Sequence, residues 1–180
     1  MKNLLKQNSK ALLLLTLALV PLSQGYAHPG HADTVTISRS THVYLQKMVP
    51  HYLKIQKSLA IGELNAETRG AAEAIQRLIK KARKKEKDPS GKRMYKGVVK
   101  TAGFIGAASS IEAAREEFAE LNDILLPFFD NWPNHILEHD LVLYTCKETK
   151  QWWLQPNGDK VADPYRGASV ACADLTEKEE

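Results

Sequence analysis

The sequence predicts an all-α domain, an antiparallel four-helix bundle-like fold that ends in an irregular two-cysteine tail with space for a short β-hairpin. Two observations predict this class. Between residues 41 and 128, apolar residues recur at spacings of three and four, which is the period of an amphipathic helix. The residues after this stretch lose the period and contain both cysteines of the chain, Cys146 and Cys172.

Residues 1–27 have the pattern of a secretory signal peptide. Three lysines precede a short apolar stretch at 11–22, and Gly25 and Ala27 are the small residues expected before a cleavage site. The apolar stretch is shorter than the roughly 20 residues of a membrane span, although an uncleaved anchor is the alternative. The mature chain is therefore expected to begin at His28, to lack a transmembrane segment, and to be periplasmic or secreted.

The charge pattern does not favour a nucleic-acid partner. The leader holds three of the 25 basic residues and none of the 21 acidic ones, so the mature chain is nearly neutral. The one basic run, at 80–85, lacks interleaved aromatic residues and is typical of a solvated helix end. We expect a flexible polar segment over 28–40 and a single helical domain over 41–180.

The first two helices are predicted from their apolar faces. In the first, Pro50 lies inside the face and is expected to kink the helix or to shorten it. Asn65 is a suitable N-cap for the second. The first face consists of Leu45, Met48, Tyr52, Ile55 and Leu59, and the second of Ala71, Ala74, Ile75, Leu78, Ile79 and Ala82.

A third helix is predicted from about Arg93 to Ala108, with Val98, Ala102 and Ile105 facing inward. The turn before it is indicated by Pro and Gly within residues 87–91.

The fourth helix has the clearest pattern. Ser109 and Glu112 fit a capping box at its start, and Pro127 and Pro133 are expected to end it. After it, Trp152, Trp153 and Leu154 suit a short strand. The apolar face consists of Ile111, Ala114, Phe118, Leu121, Leu125 and Phe128.

The two cysteines have two interpretations. In an oxidising compartment an isolated pair favours a disulfide, and closing a loop of about 26 residues would stabilise the fold by roughly 3–4 kcal/mol. The alternative is a metal site that combines both thiolates with His135 and His139, whose i, i+4 spacing places two imidazoles on one helical face. The two interpretations exclude each other because metal binding needs reduced cysteines.

The expected mature N-terminus is a second candidate metal site. The free α-amine and the imidazole of His28 can chelate Cu(II), with His31 nearby as a third ligand. Pro29 has no amide proton, so a square-planar site with an amide ligand is excluded.

Three segments carry a resemblance to one family. Residues 50–60 resemble the opening helix of a bacterial periplasmic family classed as a domain of unknown function, and 111–121 resemble its "ReaF..LS" helix, with Asn122 where Ser is usual. Some members of that family are fused to the periplasmic adaptor proteins of heavy-metal (copper or silver) efflux pumps. The tail landmarks match in order and spacing: Tyr144, Cys146, Trp153-Leu154-Gln155, Pro164-Tyr165, Gly167 and Cys172.

The resemblance implies a binding or accessory module of the cell envelope, with an envelope protein or an efflux component as its partner. No cofactor is required by this interpretation. Copper binding is the alternative function, but the two methionines of the family's cysteine motifs are absent here, and thioether is a preferred ligand of Cu(I). No phosphate loop, nucleophile elbow or haem attachment motif is present, so an enzyme is not expected.

The motif residues of the tail have two interpretations as well. Aromatic residues and Arg anchor many interfaces, which makes Trp152, Trp153, Tyr165 and Arg166 a candidate interaction surface. The alternative is that the tail uses its aromatic residues to pack onto the helices.

Overall fold

The computed structural model describes residues 34–132, 134–146 and 148–167, together with the backbone of 175–177. It is mostly helical with a small antiparallel sheet near the C-terminus. The predicted helical character is confirmed, and the sheet lies in the C-terminal part of the chain, where a short β-hairpin was expected. The helices are α1 (Arg39–Ala60), α2 (Ala66–Lys85), α3 (Pro89–Ala107), α4 (Ile111–Asn131) and α5 (Asn134–Leu137), and the strands are β1 (Leu141–Cys146), β2 (Trp152–Pro156) and β3 (Leu175–Glu177).

Short turns connect the four long helices, and each of these helices packs along the next one in sequence. Strand β2 contacts both α1 and α4, whose direct contact with each other is small. A single cluster of buried apolar side chains runs through the helices and the sheet. The sheet is therefore part of the core. Within the described part of the chain, no helix combines the length and apolarity needed to cross a membrane.

Helix α1 follows its predicted face, whereas α2 follows its face in part, because Ala74 and Leu78 are only partly buried. The five residues of the first face are buried, with Leu45 the most exposed at 2%. Pro50 lies inside a continuous α1, so the prediction of a shortened helix is wrong. The Asn65 cap is confirmed, because its Oδ1 atom accepts hydrogen bonds from the backbone N–H groups of Glu67 and Thr68, both at 3.0 Å.

Helix α3 begins four residues before the predicted start at Arg93. Asp88 caps it by accepting hydrogen bonds from the backbone N–H groups of Ser90 and Gly91. Pro89 occupies the first helical position, where the missing N–H costs nothing. Pro89 and Gly91, which were expected to form a turn, therefore lie in the first turn of α3.

Helix α4 differs from its prediction at both ends. Its N-cap is Ser110, whose Oγ atom accepts a hydrogen bond from the N–H of Ala113 at 3.2 Å, so Ser109 is not the cap. Pro127 lies inside the helix, which continues to Asn131. An internal proline costs about 3 kcal/mol, but continuing the helix buries Phe128 and Phe129, and each buried Phe contributes about 1.5–3 kcal/mol.

The three strands have the order β2-β1-β3, and both pairings are antiparallel. The predicted strand at Trp152–Leu154 is confirmed as part of β2. In the register of β1 and β2, Tyr144 lies opposite Trp153 and Leu143 opposite Leu154. On the other side of β1, Cys146 lies opposite Leu175.

The chain just before α1 is attached to the turn between α2 and α3. The carboxylate of Glu86 is 2% exposed and accepts hydrogen bonds from Ser38, from Thr41 and from the two backbone N–H groups that follow it. Burial alone would raise the pKa of Glu86, but these hydrogen bonds, led by the Ser38 and Thr41 side chains, lower it below its usual value. Residues 34–38, inside the segment predicted to be flexible, thus have defined contacts.

Candidate functional site

The predicted metal and disulfide residues lie in separate places. His28, His31 and Cys172 are outside the described residues. Cys146 is fully buried at the end of β1 and is not a free thiol. Because β1 runs away from α5 at about 3.3 Å per residue, Cys146 lies at the end of the strand opposite to His135.

The histidines His135 and His139 do not share a helical face. Helix α5 ends at Leu137, so His139 lies in the following turn, and the prediction of an i, i+4 pair on one helix is wrong. The reason is that α4 and β1 leave only a short connection between them. The Nδ1 atom of His135 instead lies 2.9 Å from the Nε2 atom of His42 at the start of α1.

The carboxylate of Glu138 completes this group. Its Oε2 atom lies 3.5 Å from His135 Nδ1 and accepts a hydrogen bond from Gln46 Nε2 at 3.3 Å. The three candidate ligand atoms all lie within 4.8 Å of one another. Burial lowers the pKa of His42 most, the neighbouring His135 and His139 lower it further, and the carboxylate of Glu138 acts in the opposite direction.

The aromatic motif residues of the tail mainly pack inside. Trp153 is fully buried, its ring stacks on Tyr144 at 5.8 Å between centroids, and it meets Tyr165 edge-on at 6.1 Å. Trp153 is therefore not available to an interaction surface. Its indole N–H has no hydrogen-bond partner within the described part of the chain. Arg166 is partly exposed and pairs with Glu148 at 2.9 Å.

A buried chain of hydrogen bonds joins this tail to the helices. The hydroxyl of Tyr52 donates to Asn122 Oδ1 at 2.8 Å and accepts from the backbone N–H of Leu154 at 3.0 Å. The Asn122 Nδ2 group donates to the hydroxyl of Tyr165, which donates to the carbonyl of Trp152 at 2.7 Å. Burial raises the pKa of both tyrosines well above its usual value, so both stay protonated.

The motif residue Gln155 shapes the loop after β2. Its side chain is 2% exposed and donates to the carbonyls of Asp159 and Lys160, while its Oε1 atom accepts from the N–H of Ala162 at 3.0 Å. The same loop is tied to α1, because Gln56 Nε2 donates to the carbonyl of Ala162 at 3.0 Å. Gln155 therefore determines where this loop lies relative to α1.

The turn at 163–167 is fixed in a similar way. The carboxylate of Asp163 accepts hydrogen bonds from the backbone N–H groups of Tyr165 and Arg166. Gly167 has φ of +82°, and a Cβ atom added there would lie 3.0 Å from Arg115 Nη2. Arg115 itself donates to the carbonyls of Leu59 and Pro164, which joins α4, α1 and the turn.

Between α1 and this loop lies a cavity of about 510 Å³, which we call the α1–tail pocket. Its walls are mainly apolar, and it is also lined by Gln155 and Gly167 of the tail motif and by Asp163. Lys54, Lys57 and Lys160 also line it and are exposed. The main apolar lining residues are Leu53, Ala60, Ile61, Pro156, Val161 and Ala162.

The sequence did not indicate His42, Glu138 or the pocket. Ile61 lines the pocket and is 55% exposed, but the sequence shows only that a large apolar residue follows the predicted face of the first helix. His42 could not be linked to His135 from sequence, because 93 positions separate the two residues.

Compared with protein-family models, with curated proteins and with solved structures, the chain gives no match. The likeness to the periplasmic family therefore stays an expectation from its sequence landmarks.

Proposed function

We propose that this chain is an exported, non-catalytic binding module of the bacterial cell envelope that holds its ligand in the α1–tail pocket. Export is supported by the signal-peptide pattern of residues 1–27. Binding is supported by one observation above all: Gln155 and Gly167 of the tail motif, together with Asp163, position the loop and turn that form a wall of this pocket. Gln155 holds the loop, Asp163 caps the turn, and Gly167 leaves room for Arg115.

The pocket supports a specific class of ligand. A volume of about 510 Å³ falls within the range of roughly 300–1,000 Å³ typical of small-molecule sites. Apolar walls favour an apolar body, and the exposed lysines Lys57 and Lys160 favour an anionic end. Two carboxylates, Asp159 and Asp163, also line the pocket against three lysines, and that of Asp163 is occupied by backbone N–H groups, so it opposes an anion less than a free carboxylate would. We therefore propose an amphipathic anion, such as a fatty-acid-like molecule, as the ligand.

We further propose that the four long helices form an antiparallel bundle-like domain and that a Cys146–Cys172 disulfide attaches the tail to it. Short turns between consecutive helices favour antiparallel neighbours. The disulfide is supported by the absence of a free thiol at Cys146 and by its pairing opposite Leu175, three residues after Cys172. Intact mass spectrometry of the exported protein measures both the cleavage site and the oxidation state of the cysteines.

The ligand proposal is tested with a dansyl-labelled fatty acid, whose fluorescence rises in an apolar site. We expect saturable binding to the exported protein, and at least a tenfold loss of affinity in Leu53→Asp and in Ile61→Asp. Phe104→Asp is the matched control, because Phe104 is a 47% exposed apolar residue on another helix. Equal losses in the control and in the pocket variants would reject the pocket.

A second pair of variants tests the charge argument. We expect Lys57→Glu combined with Lys160→Glu to weaken binding of the labelled fatty acid and to have little effect on a neutral dansyl amide of the same chain length. Lys81→Glu combined with Lys84→Glu makes the same charge change on exposed positions of α2 and should leave both affinities unchanged. If the α2 pair weakens binding as much, the effect is one of net charge and the ligand class is wrong.

A further inference from the structure

We propose that His42, His135 and Glu138 form a binding site for a divalent transition-metal ion of the zinc class. The site shares only His135 with the two metal sites expected from sequence, and it uses neither the cysteines nor the N-terminal histidines. It lies between the start of α1 and the short helix α5, and it does not depend on the α1–tail pocket.

The donor atoms suit such an ion chemically. Two imidazole nitrogens and one carboxylate oxygen form a set found in zinc sites that keep a fourth position open. Imidazole is the ligand preferred by Zn, Cu(II) and Ni, whereas Mg and Ca prefer oxygen donors. The three donor atoms therefore favour a divalent transition-metal ion such as zinc over magnesium or calcium.

The distances between the donor atoms also suit a metal ion. With metal–ligand bonds of about 2.0–2.1 Å, tetrahedral coordination places neighbouring donor atoms about 3.3 Å apart. The distance between His42 Nε2 and His135 Nδ1 is 2.9 Å, and His135 Nδ1 lies 3.5 Å from Glu138 Oε2. Shifts of a few tenths of an ångström would bring both distances to the expected value.

The two rings are joined by a hydrogen bond that is bent rather than linear. A linear N–H···N bond at this separation would place the ring centroids about 5 Å apart. The centroids of His42 and His135 are 4.1 Å apart, with 39° between the ring planes. The hydrogen bond between His42 and His135 is therefore bent, and a bound ion would replace it and move the two rings apart.

Neighbouring side chains hold the ligands in place. The His135 ring stacks on Phe128 with 9° between the planes and 5.4 Å between centroids, and Phe128 is itself buried. His42 and Gln46 are one helical turn apart on α1, and Gln46 donates to the Glu138 carboxylate at 3.3 Å. Hydrogen bonds of this kind to a ligand are typical supports of metal sites.

The test is a calorimetric titration of the full exported protein with ZnCl₂ after treatment with a chelator. We expect binding of one ion, with a loss of affinity of at least about 100-fold in His42→Gln and in His135→Gln, because removing a direct ligand exceeds the 10–100-fold effect of its supports. Glu138→Gln should weaken binding less. His51→Gln is the matched control, since His51 lies on the same helix outside the group.

A measurement on the unmodified protein avoids any effect of the variants on folding. In a ¹H–¹⁵N spectrum of the imidazole nitrogens, zinc should shift His42 Nε2 and His135 Nδ1 and leave His51 unchanged. The proposal is overturned by shifts at His51 or at the N-terminal histidines alone, by zinc affinity that survives His42→Gln combined with His135→Gln, or by the absence of zinc binding.

Discussion

Replacing Tyr52 with Phe is the sharpest test of how the tail is attached to the helices. The substitution removes one oxygen atom and leaves the ring in place, where it packs on Phe118 at 5.2 Å between centroids. Two groups lose their hydrogen-bond partner: the Oδ1 atom of Asn122 and the backbone N–H of Leu154. Both residues are at least 99% buried, so water cannot replace the hydroxyl without opening the core.

The expected cost follows from these two groups. An unsatisfied buried polar group costs about 1–3 kcal/mol, so two of them cost about 2–6 kcal/mol. The variant no longer buries its own hydroxyl, which offsets part of this amount. We expect the free energy of unfolding to fall by about 3 kcal/mol, which for a domain of this size lowers the melting temperature by roughly 6–12 °C.

The assay is equilibrium unfolding in urea, followed by circular dichroism at neutral pH. Tyr44→Phe is the control, because Tyr44 is a partly exposed tyrosine on the same helix; its loss should stay below about 0.5 kcal/mol. Tyr52→Phe combined with Asn122→Leu should cost less than the two single changes added together, since it removes both partners of one bond. A loss below about 1 kcal/mol for Tyr52→Phe would refute the reasoning.

Three further predictions concern single interactions. Glu86→Gln should lower the free energy of unfolding by about 2 kcal/mol at pH 7. Because folding lowers the pKa of Glu86, the carboxylate contributes its full stability above pH 4.5. Below that pH, the difference in unfolding free energy between the variant and wild type should narrow. Ser110→Ala should cost about 1 kcal/mol in urea unfolding and Ser109→Ala almost nothing; the reverse order would place the cap at the sequence-predicted position. Gly167→Ala and Gly158→Ala should each cost about 1–2 kcal/mol of stability, because both glycines have a positive φ. The melting temperature should fall further for Gly167→Ala, because the new Cβ atom would lie against the guanidinium of Arg115. Equal falls in melting temperature would show that this contact is unimportant.

The sequence predicts the long helices well, because the buried positions of an amphipathic helix repeat every three or four residues. The stripe from Leu45 to Leu59 and the cap at Asn65 depend on residues within a few positions of one another, and both are confirmed. Pro127 misled the prediction because its local cost is visible in the sequence, whereas the compensating burial of Phe128 and Phe129 depends on distant partners.

The candidate sites depend on such distant partners throughout. The pairing of His42 with His135 and the support of the pocket wall by Gln155 follow from how α1 meets the C-terminal part of the chain. No local sequence pattern predicts that α1 contacts the C-terminal part of the chain. The tail residues could be recognised as a motif from sequence, but their role in placing a loop beside α1 required their hydrogen bonds.

The hydrogen bond between Tyr52 and Leu154 also constrains when folding can finish. Its two residues are 102 positions apart, so the core around α1 cannot be completed until Leu154 has been synthesised. Contacts of such long range slow folding, because a large loop must close before they form. For the exported chain that we propose, this delay is useful, because a core that still lacks β2 leaves the chain unfolded enough to pass through a membrane.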